Sequence, residues 1–184
     1  MKLMMIDLDG TLFDTKEVNY QAYKEAIEPY GFHIDFKYYC EFCNGKYYMD
    51  FLPQITTNDK TILEKIHKHK KEVYSKYLNF GKVNQALVDL INNSKWAYKV
   101  ALVTMASKEN TYDILNKFAL TEIFDLILTH NDIENSKPNP EGFLKAMKIF
   151  HAKPEECIIF EDSEVGIKAA EQTGANVFIV KGYN

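Results

Sequence analysis

Acidic, small and hydroxyl-bearing side chains lie close together after the first apolar run of the chain. Residues 3–6 are apolar, which is typical of a buried strand of a parallel sheet, and Asp7, Asp9, Gly10 and Thr11 follow them. Because side chains alternate across a strand, Asp7 and Asp9 can face one site. Gly10 lets the chain turn, and Thr11 offers a hydroxyl and a backbone N–H. Ligands of open α/β sheets bind beyond the carboxyl ends of strands, so this set indicates a site for a metal ion and an anion.

The same residues also have an ordinary structural interpretation. Aspartate and glycine are common in turns, so an Asp-rich turn after a strand indicates no function by itself. The functional interpretation therefore depends on whether matching groups recur at the ends of later strands.

Three further groups fall at or after the ends of predicted strands. Thr104 closes one apolar run, Glu161 and Asp162 follow another, and Lys137 precedes a stiff Pro-Asn-Pro loop. Taken singly, they suit a polar strand end, an acid pair at the start of a helix and a solvated lysine. Taken together, they coincide with the carboxyl edge of one parallel sheet, which favours a shared site.

These residue types match the needs of phosphoryl transfer. A phosphate dianion repels an attacking carboxylate, so catalysis must cancel charge and hold the groups in line. Mg2+ held by two or three acids suits this task, and Lys137 adds a second positive charge. Thr104 and nearby N–H groups can hold phosphate oxygens. Asp7 is then the predicted nucleophile, which forms an aspartyl-phosphate, and Asp9 is the acid and base for the leaving alcohol and for water.

Alternating helix and strand patterns position these residues. Strands are predicted at five apolar runs: 3–6, 99–104, 125–128, 157–160 and 177–180. Helices are predicted from Thr15 to about Glu28, after Asn58 or Asp59, from about Asn84, and after the caps Ser107, Asn139 and Ser163. This order predicts an α/β fold: a doubly wound, Rossmann-like parallel sheet with a helical cap inserted after the first strand. The predicted core is 1–14 and 83–184, and the predicted cap is 15–82.

Composition argues against several other classes of protein. The chain has 184 residues, 46% of them hydrophobic, so a sizeable core is possible and disorder is not expected. A net charge of −4 argues against a nucleic-acid surface. No apolar run reaches the roughly 18 residues of a membrane span, and the first run is too short for a signal peptide. We therefore expect a cytoplasmic monomer whose partner is a small phosphorylated molecule, not nucleic acid or membrane.

Several side chains between residues 15 and 82 are predicted to be structural. Cys40 and Cys43 form a lone C-x-x-C without the second pair that a zinc site needs, so we expect ordinary thiols. His67 and His69 are two apart and do not share a helix face, so they are not predicted metal ligands. A solvated helix face is predicted for four lysines: Lys65, Lys68, Lys70 and Lys71.

The motifs together resemble those of the haloacid dehalogenase superfamily, in its phosphatase and β-phosphoglucomutase-like branch with a small helical cap. The first motif matches residues 7–11, the second Thr104, the third Lys137 and the fourth Glu161 with Asp162. The resemblance implies Mg2+ bound by the Asp7 and Asp162 carboxylates, by the Asp9 carbonyl, and by Glu161 directly or through water. Phosphate contacts are implied for six residues: Gly10, Thr11, Thr104, Met105, Ala106 and Lys137.

Departures from the pattern bear on the reaction. Met105 and Ala106 follow Thr104, where family members often have Asn or Ser. The mutases of this branch carry a His where Asn19 stands and an Arg near Tyr48, so water is the favoured acceptor here. The predicted function is a Mg2+-dependent phosphatase for a small metabolite such as a sugar phosphate or a phosphorylated alcohol. Predicted substrate contacts, all in the cap, are Thr15, Asn19, Gly45, Lys46, Tyr47 and Tyr48.

Three other functions compete with this one. A phosphomutase would isomerise its substrate without net release of phosphate. A receiver-like signalling domain also has a phosphorylated aspartate, a lysine and a doubly wound sheet, but the long insertion argues against it. A catalytically silent binding protein on the same fold is disfavoured by the complete set of acids, Thr104 and Lys137.

Overall fold

The computed structural model describes residues 1–182, which form two compact units. The first unit comprises Met1–Asp14 and the chain from Lys82 onward, and the second is Thr15–Gly81. Positions 183 and 184, the last two of the predicted core, lie outside the described residues. Over the part of the chain that is described, no helix is both long and apolar enough to cross a membrane.

A five-stranded parallel sheet forms the centre of the first unit. Its strands are β1 (Leu3–Ile6), β4 (Lys99–Val103), β5 (Leu126–Leu128), β6 (Cys157–Glu161) and β7 (Asn176–Ile179), and their order is β5-β4-β1-β6-β7. Leu3 lies opposite both Lys99 and Cys157, which places β1 in the middle of the sheet. All four side chains of β1 are buried, because its apolar run is covered on both faces. The predicted α/β fold with a parallel sheet is confirmed.

Four helices of the first unit surround the sheet: α5 (Gln85–Ser94), α6 (Lys108–Lys117), α7 (Glu141–Ile149) and α8 (Glu164–Glu171). As predicted, Ser107 and Ser163 cap α6 and α8 by accepting hydrogen bonds from backbone N–H groups. The predicted cap of α7 is wrong by one position. Pro140 occupies the cap position, although the Asn139 side chain still accepts a bond from the N–H of Glu141 (3.0 Å).

A two-stranded antiparallel ladder in the first unit was not predicted. It joins β2 (Phe13–Asp14) to β3 (Lys82–Val83), with Asp14 opposite Lys82. Lys82, which the predicted boundaries place in the cap, thus pairs with Asp14, the last residue of the core before the insertion. Two-residue strands have no detectable period, so no sequence pattern could reveal them.

The second unit is helical, as the fold prediction requires. Its helices are α1 (Lys16–Ile27), α2 (Phe36–Tyr38), α3 (Tyr48–Ile55) and α4 (Lys60–Val73), and α2 continues into a π-helical turn, Tyr39–Cys43. Asp59 caps α4 by accepting bonds from Thr61 and Ile62. The unit has a core of its own, built from α1, α3, α4 and the π-helical turn: Tyr20, Tyr23, Ala26, Ile27, Tyr39, Cys43, Phe51, Leu52, Leu63 and Ile66.

Lys70 contradicts the prediction of a solvated lysine face. Only 8% of the residue is exposed, and its ammonium lies 5.2 Å from the ring centre of Tyr23 and 4.7 Å from that of Tyr74. The ammonium also donates to Asn19 Oδ1 (2.6 Å). The reason is helical spacing, because the buried stripe of α4 runs through Leu63, Ile66, Lys70 and Val73.

His67 is held by two tyrosines of the second unit. Its ring stacks on Tyr48 with centroids 3.9 Å apart and planes at 5°, and its Nδ1 lies 3.0 Å from the Tyr23 hydroxyl. Burial, together with the positive charges of Lys71 and Lys70, lowers the pKa of His67 from 6.5 to about 4. The imidazole is therefore neutral in the folded chain near neutral pH.

We expect acid to destabilise the chain through His67. The folded-state pKa of His67 lies below its unfolded value, so between pH 6.5 and 4 the unfolded chain binds a proton that the folded chain does not. The contribution of the neutral His67 ring to the free energy of unfolding is therefore present above pH 6.5 and is lost as pH falls toward 4. Between pH 7 and 5 the loss should be about 1 kcal/mol, allowing for the half-buried ring. Urea unfolding of the wild type and of His67→Gln at both pH values measures it. His69→Gln controls for the loss of one histidine from α4, and parallel pH profiles for wild type and His67→Gln would contradict the expectation.

Candidate active site

The sheet brings three of the four predicted motifs to one edge. Asp7 follows β1, Thr104 follows β4, and Glu161 and Asp162 lie at the end of β6, the three strands being neighbours in the order β4-β1-β6. The N–H of Asp7 donates to the carbonyl of Phe160 (3.0 Å), which continues the ladder into the site. Strand order thus places residues about one hundred positions apart beside one another.

Lys137 reaches this edge from the loop before α7. Its ammonium donates to Asp7 Oδ1 (2.6 Å), to Glu161 Oε1 (2.6 Å) and to the carbonyl of Val103 (3.2 Å). The side chains of all three charged residues are at most 10% exposed. Desolvation lowers the pKa of Lys137, but the two carboxylates outweigh it and hold that pKa above its usual value. Lys137 is therefore a buried cation shared by two acids.

The loop after β6 fixes the carboxylate of Glu161. Its Oε2 accepts hydrogen bonds from the N–H of Asp162 (2.9 Å), the N–H of Ser163 (3.0 Å) and the hydroxyl of Ser163 (3.1 Å). With Lys137 on the other oxygen, the carboxylate has partners on both sides and is fully buried. The sequence predicted Ser163 only as a helix cap and missed this second role.

Gly166 has no side chain, and this leaves space for the Glu161 carboxylate. An added Cβ at Gly166 would overlap that carboxylate. We expect Gly166→Ala to lower the free energy of unfolding by about 1–3 kcal/mol and to reduce activity, because a carboxylate held by four hydrogen bonds cannot move aside cheaply. Gly142→Ala in α7 is the matched control, since there the Cβ would meet a methyl group of Val103 at 2.9 Å. Thermal unfolding compares the two, and equal melting temperatures would contradict the expectation.

Asp162 is oriented by the loop that follows β1. The Thr11 hydroxyl donates to Asp162 Oδ1 (2.8 Å), and Gly10 packs so closely that a Cβ there would overlap the same carboxylate. The φ of Gly10 is +89°, a conformation that favours glycine. The pKa of Asp162 is raised to about 6, chiefly by burial and also by the charges of Glu161 and Asp9, although the hydrogen bond from Thr11 opposes the rise.

The acids of this edge have the composition and the spacing of a cation site. One oxygen each from Asp7, Glu161 and Asp162 lies within 4.8 Å of the other two, and Asp9 is close enough to raise the pKa of Asp7. Burial is the largest cause of that raised pKa, and Lys137 lowers it. The Lys137 ammonium contacts two of these acids, Asp7 and Glu161, and Asp162 adds a third carboxylate beside them. Hard carboxylate oxygens grouped in this way fit a divalent cation such as Mg2+.

Thr104 faces the same edge from β4. It is 2% exposed, its N–H donates to the carbonyl of Leu128 (2.9 Å), and its Oγ1 accepts from the N–H of Ala106 (3.0 Å). Because the hydroxyl acts as an acceptor in that bond, its proton remains available for another acceptor. A phosphate contact through the N–H of Ala106 would compete with the bond to Thr104, whereas no such bond involves Met105 in the described part of the chain.

The predicted substrate residues all lie in the second unit. Asn19 donates to the carbonyl (3.1 Å) and the hydroxyl (3.2 Å) of Thr15, and accepts from Lys70. Gly45 has a φ of +77° in the loop that also contains Lys46, and Tyr47 is 62% exposed beside Tyr48. Their contact with a substrate stays a prediction.

The fold and these groups define an α/β enzyme with an acidic, lysine-containing centre at the carboxyl edge of its sheet. The family model for haloacid dehalogenase-like hydrolases matches residues 4–180, so the chain belongs to that family. This confirms the resemblance inferred from the motifs and the expectation of an enzyme.

Relatives and solved structures agree with this family. A phosphorylated carbohydrates phosphatase of Thermotoga maritima is 27% identical over an alignment of 184 positions, which covers 95% of this chain and 82% of that protein. Pyrophosphatase PpaX of Bacillus cereus is 27% identical over an alignment of 187 positions, which covers 96% of this chain and 82% of that protein. Among crystal structures, β-phosphoglucomutase of Clostridium difficile superposes with a TM-score of 0.78 at 26% identity, covering all of this chain and 86% of that one. CbbY of Rhodobacter sphaeroides in complex with phosphate has a TM-score of 0.83 at 24% identity (100% and 87%), and shows the shared fold.

Proposed function

We propose that this chain is a Mg2+-dependent phosphomonoester hydrolase of the cytoplasm that acts on a small phosphorylated metabolite. The observation that carries the proposal is the buried Lys137, which donates to both Asp7 and Glu161 within a cluster of three acids that also includes Asp162. Such a centre offers an anionic nucleophile together with positive charge for a phosphoryl group.

Asp7 acts as the nucleophile. An oxygen of its carboxylate attacks phosphorus, the bond from phosphorus to the substrate oxygen breaks, and Asp9 gives that oxygen a proton. Asp9 then takes a proton from water, whose oxygen attacks the phosphorus of the aspartyl-phosphate. Inorganic phosphate leaves and the Asp7 carboxylate is restored. Lys137, through its bond to Oδ1, limits rotation of the nucleophile, and Thr104 donates its free proton to a phosphate oxygen.

The residues that would hold Mg2+ are Asp7 and Asp162 through carboxylates and Asp9 through its backbone carbonyl. When bound, the ion offsets negative charge on the phosphoryl oxygens. Glu161 Oε2 already accepts three hydrogen bonds, which favours a contact of Glu161 with the ion through water.

The name of one relative and the side chains of the second unit support a substrate class. One relative is named for phosphorylated carbohydrates, which supports a sugar phosphate or a phosphorylated alcohol as the substrate. We propose that the leaving group is recognised by the second-unit residues Thr15, Asn19, Gly45, Lys46, Tyr47 and Tyr48. Lys46 and the tyrosines suit a polar or anionic compound.

A phosphomutase is the second candidate, because one structural neighbour above 25% identity is a β-phosphoglucomutase. The asparagine at position 19 argues against a phosphomutase. A side-chain amide does not ionise near neutral pH and so cannot act as an acid or a base, and the polar atoms of Asn19 already have partners in Thr15 and Lys70. Water is therefore the preferred acceptor of the phosphoryl group.

Phosphate release from a panel of phosphorylated sugars, alcohols and pyrophosphate tests the proposal. We expect release with Mg2+, its loss with EDTA and its recovery when Mg2+ is added back in excess. Isomerisation of a sugar phosphate without release, stimulated by a sugar bisphosphate, would identify a mutase instead. Release that is unaffected by EDTA would contradict the assigned cofactor.

A further inference from the structure

Asn84 is a buried polar residue at the point where the chain returns to the first unit. It is 7% exposed and follows β3 directly. Its backbone N–H donates to the carbonyl of Leu12 (2.8 Å), its Oδ1 accepts from the N–H of Leu87 (3.2 Å), and its Nδ2 donates to the carbonyl of Thr11 (3.1 Å). The side chain thus has one bond to α5 and one to the loop after β1.

Capping α5 does not explain an asparagine at this position. A helix cap needs an oxygen acceptor, which serine, threonine or aspartate supplies as well. Aspartate has no donor, and serine or threonine would have to donate from the same oxygen that accepts, whereas asparagine carries a separate N–H donor beside its oxygen. That donor is the group that reaches Thr11, 73 residues earlier in the chain.

Thr11 connects this bond to the acid cluster. Thr11 is fully buried, its carbonyl accepts a hydrogen bond from Asn84, and its hydroxyl donates one to Asp162 Oδ1. A buried carbonyl without a partner is costly, so loss of the Asn84 donor favours a shift of the Thr11 peptide. Such a shift would also turn the Thr11 hydroxyl away from Asp162.

We propose that Asn84 is a positioning residue for the cation site. Through the Thr11 carbonyl it fixes the Thr11 hydroxyl, and through that hydroxyl the orientation of the Asp162 carboxylate. Asn84 touches neither substrate nor metal. The inference rests on the proposed function in one respect, the role of Asp162 as a Mg2+ ligand.

Two variants separate positioning from capping. Asn84→Ser keeps an oxygen for the N–H of Leu87 but is too short to reach Thr11, and Asn84→Asp is isosteric but has no N–H donor. We expect both to raise the Kd of Mg2+ by about threefold to tenfold, as expected for one lost hydrogen bond. Calorimetry with Mg2+ alone measures the Kd. In assays of phosphate release, the Mg2+ concentration for half-maximal rate should rise by the same factor.

Asp59→Ala is the matched control. It removes the cap of α4 in the second unit, so it should lower the melting temperature without changing the Kd of Mg2+. A wild-type Kd in both Asn84 variants would overturn the inference and leave Asn84 as a cap only. Absence of Mg2+ binding by the wild-type chain would count against the proposed function instead, so the two failures are distinguishable.

Discussion

Asp7→Asn is expected to lose phosphate release by a factor on the order of 10⁴–10⁶, the scale seen when a catalytic nucleophile is removed. An amide oxygen is a poor nucleophile, and no aspartyl-phosphate can form on it. The fold should survive, because the amide has nearly the same shape and its Oδ1 can still accept the bond from Lys137. Burial raises the pKa of Asp7, so the carboxylate itself does not stabilise the folded chain near neutral pH.

Two measurements check this result. Rates with the best substrate of the panel give the loss of turnover, and intact mass after acid quench reports a phosphoryl group on the wild type and none on Asp7→Asn. Asp89→Asn, which changes an exposed aspartate of α5, is the control for a neutralised acid. Near-normal turnover of Asp7→Asn with an unchanged melting temperature would remove Asp7 from the role of nucleophile.

Lys137→Ala has the second largest expected effect. Loss of one preorganised electrostatic group typically costs about 10²–10³ in kcat. Stability should fall as well, by about 3–5 kcal/mol at neutral pH, because Asp7 and Glu161 remain buried without their shared cation. Proton uptake by Asp7 would offset part of this loss, so the variant should be relatively more stable in mild acid.

Activity and urea unfolding at several pH values test both parts of the Lys137 prediction. Lys148→Ala, in the exposed last turn of α7, controls for the loss of one lysine from the same region. Wild-type kinetics in Lys137→Ala would exclude this lysine from the site. A rate loss without any change in stability would show that the two buried ion pairs are energetically neutral in this chain.

Local features of the sequence determined the main elements of the core and the types of its reactive groups. Apolar runs of three or four residues predicted the strands, since central strands of a parallel sheet are buried on both faces. Ser107 and Ser163 marked helix starts because a hydroxyl can accept an N–H bond within one turn. The spacing of Asp7, Asp9 and Gly10 after β1 indicated a turn with two acids. Each of these signals acts over a few residues, so the sequence alone contains them.

Tertiary structure decided which of these groups meet and what each one contacts. Lys137 has partners 130 residues before it and 24 residues after it, and Asn84 reaches Thr11 across 73 residues. Lys70 looked like part of a solvated face, yet it packs between Tyr23 and Tyr74. Such contacts depend on strand order and helix packing, which place distant segments side by side. No local pattern contains that information, because the free energy of a contact depends on the neighbours that only the folded chain supplies.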